Sequence, residues 1–170
     1  MLAIIQHTPL WVAALLALLV VLGVQALRPR EVPVWRLLLV PLAFTAWGVL
    51  SLMQKAGASP LLVADWLVTA AIGAAIGWWT TNPQAFHIDH AGNRVRVPGS
   101  AVPLVRNLSI FLAKYVLAAT MAVAPALQGA LSPWDIAVSG LSAGYFIGWM
   151  VRFALRYRAG RQPQLLRSNT

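Results

Sequence analysis

Apolar and polar positions divide the chain into five long hydrophobic runs separated by short polar segments. The runs cover residues 9–27, 37–53, 61–81, 103–127 and 133–155. Each has about 20 residues, so a helix rising about 1.5 Å per residue would cross a hydrocarbon core of about 30 Å. The pattern predicts an all-α membrane protein, a bundle of five transmembrane helices that forms a single integral membrane domain over residues 1–170.

A different pattern separates the third run from the fourth. Residues 84–98 alternate apolar and polar side chains on both sides of a Gly92-Asn93 turn. Alternation with a period of two is typical of a β-strand, and a glycine-containing turn joins two strands into a hairpin. We therefore expect a short β-hairpin between helices 3 and 4.

The distribution of charge indicates how these helices are oriented. No Lys or Arg precedes the first run, whereas Arg28, Arg30 and Arg36 follow it directly. Further arginines occur in the hairpin and in residues 156–170. Lys55 is the one cation in the loops expected on the opposite side of the membrane. Because Lys and Arg are enriched in cytoplasmic loops, we expect the N-terminus outside. The hairpin and the C-terminal basic tail, residues 156–170, are then cytoplasmic.

Composition excludes several functional classes. Hydrophobic residues make up 59% of the chain and charged residues 10%, which is far from an average soluble domain. The net charge of +9 is explained by membrane orientation, and no nucleic-acid-binding motif accompanies the arginines. The chain has no cysteine, which excludes disulfides and thiolate metal sites. Because no known catalytic motif occurs, we predict no catalytic residue, no metal and no cofactor, and an enzyme is disfavoured.

Polar side chains on the fourth run are the best candidates for a binding site. The spacing of Arg106, Asn107 and Lys114 places them on one helix face, with Tyr115 beside them. A lysine near the bilayer centre is costly and ordinarily faces a cavity or a partner. One interpretation is a polar cavity, open to the cytoplasm, in which these residues bind an anionic or quinone-like ligand. The alternative is a helix that begins near Leu108, from which Lys114 extends to the inner headgroups.

Glycines at four-residue spacing mark two helix faces. Gly73 and Gly77 lie on the third run, and Gly140, Gly144 and Gly148 lie on the fifth. Small residues at this spacing let two helix backbones approach closely in a membrane. The two faces are expected to pack helices together, either within one chain or across a homodimer.

The remaining polar groups favour structural roles. His87, Asp89 and His90 form an H-x-D-H motif, but alternation in a strand points the two histidines to opposite faces. A solvated hairpin edge is therefore favoured over a metal site. Asp65 and Asp135 both fall near outer helix ends, where a surface ion pair is the expected role.

Four short motifs occur along the chain: Arg28-Pro29-Arg30, Gly92 at the hairpin turn, Val97-Pro98-Gly99-Ser100, and Lys114-Tyr115. In this arrangement the chain resembles the CcdC-like family of uncharacterised small bacterial inner-membrane proteins. The resemblance covers nearly the whole chain and implies a multi-pass protein of the bacterial cytoplasmic membrane with no assigned reaction. It carries over no functional residues, and the lack of cysteine argues against direct thiol transfer.

Two functions follow from these observations. The first is an accessory or interaction protein whose hairpin and basic tail engage anionic lipid or a partner, which is either another membrane protein or a second copy of the chain in a homodimer. The second is a small-molecule carrier or ligand-binding protein that uses the polar face around Lys114. A carrier requires water at Lys114, and an accessory protein does not.

Overall fold

The computed structural model describes residues 10–55, 59–82, 86–89 and 92–167. The elements in chain order are α1 (Leu10–Gln25), β1 (Arg30–Pro33), α2 (Val34–Lys55), α3 (Pro60–Thr80), β2 (His87–Asp89), β3 (Arg94–Val97), α4 (Val102–Val123), a 3-10 turn (Pro125–Leu127) and α5 (Gln128–Arg167). The protein is mostly helical, as the hydrophobic runs predict. Four of the helices are long and apolar enough to cross a membrane, whereas α1 is apolar but shorter over the described residues. Five spans therefore remain a prediction.

Helix α5 is the longest element and the centre of the bundle. Its 40 residues correspond to about 60 Å, which is about twice the thickness of a hydrocarbon core. It begins at Gln128, five residues before the fifth hydrophobic run, and the helix continues through Pro133. At its other end, residues 156–167, expected as a polar tail, extend the helix. Helix α5 therefore projects beyond the hydrocarbon region.

The other helices pack around α5. Helix α3 makes the most extensive contact with it, followed by α2 and α4, and α1 packs mainly on α4. One buried cluster joins four of the five helices through Leu19, Phe44, Phe111 and Phe146. The rings of Phe44 and Phe146 are stacked, with centroids 5.2 Å apart. This aromatic layer fixes α2, α4 and α5 relative to one another.

The predicted hairpin is part of a three-stranded antiparallel sheet of order β1-β3-β2. Its two strands, β2 and β3, pair as expected, and the turn residue Asn93 has a positive φ of 49°. Strand β1 was not anticipated, because four residues are too few to show an alternating pattern. Val32 of β1 lies opposite Val95 of β3, and both are buried, so β1 completes the sheet's inner face.

The sheet is attached to the C-terminal half of α5. The Tyr157 hydroxyl donates a hydrogen bond of 3.1 Å to the side-chain oxygen of Asn93. The ring of Phe86, which precedes β2, packs edge-on against Phe153 at 5.5 Å and Trp149 at 6.1 Å. We call this end of the bundle the sheet end. The opposite end, where α2 ends and α5 begins, is called the distal end.

Candidate functional site

The most unusual feature inside the bundle is an ion pair between α4 and α5. The ammonium of Lys114 lies 2.5 Å from Oδ1 of Asp135, and it also donates to the Asp135 backbone carbonyl at 3.3 Å. Only 12% of the lysine side chain and 8% of the aspartate side chain are exposed. Asp135 is therefore not part of a surface ion pair: it neutralises the cation that the sequence placed within a membrane helix.

The pair lies closer to the distal end than to the sheet end. Lys114 is about 18 Å from the start of α4 and about 13 Å from its end at 1.5 Å per residue, and Asp135 is about 10 Å from the start of α5. A charge in a bilayer is costly unless it faces a partner or water. Here each charged group supplies the partner of the other, and Lys114 is directed towards α5 and not towards headgroups at the sheet end.

A small cavity of about 10 Å³ adjoins the ion pair. Lys114 lines it together with the hydroxyl-bearing residues Ser51, Ser139 and Ser142, and the rest of the lining is Gly48 and apolar side chains. A volume of this size holds about one water molecule. The cavity in this conformation is far smaller than the roughly 300 Å³ or more of a typical small-molecule site.

One of these serines, Ser139, also connects two helices, and Ser142 bonds within α5. The hydroxyl of Ser139 donates to the carbonyl of Gly48 on α2 at 3.2 Å, and the hydroxyl of Ser142 donates to the carbonyl of Ser139 at 3.0 Å. Gly48 makes the first bond possible, since an added Cβ there would lie 2.7 Å from the Ala143 methyl. The spacing of Asp135, Ser139 and Ser142 places all three on one face of α5.

The four residues predicted as a ligand site fall into separate groups. Arg106 Nε donates to the Asn107 side chain at 3.1 Å, and its guanidinium lies 4.6 Å from the centre of the Phe146 ring. Asn107 is 3% exposed. The Tyr115 ring stacks on Phe111. Lys114 lines the cavity, whereas Arg106, Asn107 and Tyr115 do not. Their joint role in ligand binding remains a prediction.

The two glycine faces lie against each other within this chain. Gly73 and Gly77 of α3 contact the backbone of α5 at Leu141 and Tyr145. Gly140, Gly144 and Gly148 of α5 contact the backbone of α3 at Trp66, Ala70 and Ala74. A Cβ added at any of the five would overlap an oxygen or backbone atom of the facing helix. With both faces covered in this way, a homodimer would have to use other surfaces of the bundle.

Arg152 has a structural role that sequence reasoning missed. Its guanidinium donates to the carbonyl of Trp78 in the last turn of α3 and lies 5.5 Å from the centre of the Trp78 ring. Carbonyls in a final helical turn lack intrahelical partners, and cations favour that end of the helix dipole. Arg152 therefore caps α3 from α5. The available signal in the sequence was Trp78, which lies near the end of the third hydrophobic run.

Asp65 and the hairpin residue Asp89 are not part of the Lys114–Asp135 ion pair. Among the described residues, no three His, Cys, Asp or Glu side chains are close enough to hold a metal ion. His90 of the H-x-D-H motif lies outside the described residues. Asp65 has one buried carboxylate oxygen without a hydrogen-bond partner within the described part of the chain.

These features define a small helical protein whose apolar helices fit a membrane protein and whose described interior contains a buried ion pair. The chain belongs to a family of unknown function (DUF6622), whose model matches residues 1–165. This match supports an uncharacterised family over the whole chain, and the resemblance to the CcdC-like family is not confirmed. Neither a curated protein nor a solved structure matches the chain.

Proposed function

We propose that the protein is an accessory protein of a bacterial cytoplasmic membrane and that it acts through its sheet end. In this proposal all five helices span the bilayer, the N-terminus is outside and the sheet end faces the cytoplasm. The excess of arginine at the sheet end supports this orientation, because Arg28, Arg36, Arg156 and Arg158 are all exposed there.

The observation that carries the proposal is the fixed, charged outer face of the sheet. Glu31 lies opposite Arg96, and Asp89 lies opposite Arg94, on the side away from the buried valines. Contacts of α5 with Asn93 and the segment before β2 hold this face in one position. A fixed surface with both signs of charge suits recognition of a protein partner, because complementary charges set specificity and orientation.

The surrounding arginines suit a second contact, with anionic headgroups. Arg36 lies 5.5 Å from the centre of the exposed Trp35 ring, and tryptophan concentrates at membrane interfaces. Each Lys or Arg near an anionic surface contributes about 1 kcal/mol of attraction. The exposed arginines Arg28, Arg156 and Arg158 add to this attraction. Lipid would hold the sheet end at the membrane surface, where a partner is recognised.

The interior supports the accessory role over the carrier role. Lys114 already has a carboxylate partner in Asp135, and the adjoining cavity of about 10 Å³ has no space for a substrate. A carrier would need a second conformation in which this ion pair separates.

Site-specific photo-crosslinking tests the proposal. A benzophenone amino acid replaces Arg96 on the outer face of the sheet, and the control replaces Leu39, which is 51% exposed on α2. In cells, we expect position 96 to give one discrete protein adduct of defined mass, with position 39 giving none. An absence of adducts at position 96, or identical patterns at both positions, would contradict the proposal.

A further inference from the structure

We propose that Lys114, Ser51, Ser139 and Ser142 form a binding site for a single water molecule, which exchanges with solvent at the distal end. This site does not depend on the accessory role of the sheet end. Three observations support this site. They are the hydrogen-bonding capacity of the lining residues, the cavity volume and the position of the aromatic layer.

The lining has unused capacity for hydrogen bonds. The ammonium of Lys114 has three protons, and the two acceptors on Asp135 account for two of them. Ser139 and Ser142 use their protons on backbone carbonyls, which leaves their hydroxyl oxygens as acceptors. Ser51 has no protein hydrogen-bond partner among the described residues. A water molecule among these groups finds the two to four polar partners that buried waters ordinarily have.

The volume selects water over other ligands. The cavity of about 10 Å³ matches one water molecule and excludes an organic ligand. The ammonium of Lys114 in the lining disfavours a metal cation by like-charge repulsion. A neutral molecule that both donates and accepts hydrogen bonds fits the serine hydroxyls and the ammonium together.

The aromatic layer determines the side from which water arrives. Phe44, Phe111 and Phe146 are each between 0% and 6% exposed, and each lies on the sheet-end side of the polar cavity residues of its own helix. On the distal side, Ser51 is four residues from the end of α2, or about 6 Å along the helix axis. The shortest route from solvent therefore starts at the distal end.

Magnetisation transfer from water to the Lys114 ammonium in bilayers tests the site. The chain has two lysines, Lys55 and Lys114. In protein labelled with ¹⁵N-lysine, the substitution Lys55→Arg therefore leaves Lys114 as the single ammonium signal from a lysine side chain. We expect transfer from water in this background, loss of transfer in Ser51→Val, and retention in Ser51→Thr. Ser109→Val, at an exposed position of α4, is the matched control and should retain transfer. No transfer before substitution, or undiminished transfer in Ser51→Val, would overturn the proposal.

The direction of exchange is tested by confining an impermeant paramagnetic chelate, which relaxes bulk water, to one side of oriented proteoliposomes. Chelate on the side opposite to the side that labels Arg94→Cys with an impermeant thiol reagent should suppress transfer from water to Lys114, and chelate on the sheet side should not. Suppression from the sheet side alone would contradict exchange at the distal end. Because the side of the chelate is compared with the side that labels Arg94→Cys, the result does not depend on which side is cytoplasmic.

Discussion

Substitution of Lys114 and Asp135, singly and together, tests whether their ion pair stabilises the helix bundle. Lys114→Met removes the cation, Asp135→Asn removes the negative charge at nearly constant volume, and the double variant removes both. Each single variant leaves one buried charge without its counter-charge, whereas the double variant leaves none. We therefore expect the double variant to be at least as stable as either single variant.

The expected magnitude follows from burial. Removal of one partner of a buried ion pair costs about 3–5 kcal/mol in soluble proteins, while polar pairs in membrane proteins are often worth less than about 2 kcal/mol. With side chains 12% and 8% exposed, the pair has little access to bulk solvent. We expect each single substitution to lower the free energy of unfolding by about 2–4 kcal/mol, with a coupling energy at least as large as the greater of the two single losses.

Unfolding in mixed micelles with increasing fractions of a denaturing detergent provides these free energies. The matched control combines Lys114→Met with Asp65→Asn, an acid on α3 that is not in the ion pair. The control pair should be additive to within about 0.5 kcal/mol. A Lys114–Asp135 coupling below about 0.5 kcal/mol would refute the conclusion that the two charges stabilise each other.

Two further predictions concern the packing of α3 on α5 and the hydrogen bond between Tyr157 and Asn93. Gly144→Ala places a methyl against the backbone of α3 and should lower the free energy of unfolding by about 1–3 kcal/mol in the same assay. Gly129→Ala, which meets no atom within 4 Å, should leave it unchanged, and equal effects would contradict the close packing of α3 and α5. Tyr157→Phe removes the hydrogen bond to Asn93, worth about 1 kcal/mol, and should speed amide hydrogen exchange in β3. Unaltered exchange there would mean that α5 does not hold the sheet.

Sequence reasoning located the helices because long apolar runs have few alternatives to the helix in a membrane. Run 61–81, for example, corresponds to α3, Pro60–Thr80. The start of α5 was less predictable. The fifth apolar run begins at Pro133, but the helix starts five residues earlier, at Gln128, and includes the proline. Strand β1 depends on pairing with β3, whose partner residues are 61 to 67 positions later in the sequence, and local patterns do not reveal this pairing.

The candidate site was only half visible in the sequence. Lys114 was identifiable because a cation in an apolar run is costly, but its partner Asp135 is 21 residues away on another helix. The rotation of α5 that brings Asp135 to Lys114 also carries its glycine face onto α3, and no local signal specifies that rotation. Arg106, Asn107 and Lys114 all belong to α4, and their spacing predicted a shared helix face. That spacing did not indicate that an aromatic layer containing Phe111 lies between them.

The proposed membrane arrangement requires α4 to cross the membrane, with the ion pair inside the bilayer and the sheet in the cytoplasm. Side-resolved maleimide labelling of Arg94→Cys, on the sheet, and Gly129→Cys, exposed at the distal end, tests this arrangement in intact cells and inverted vesicles. We expect position 129 to react from outside and position 94 to react from the cytoplasm. Reaction of both from the same side would show that α4 does not span the bilayer, and reaction of position 94 from outside would reverse the proposed orientation.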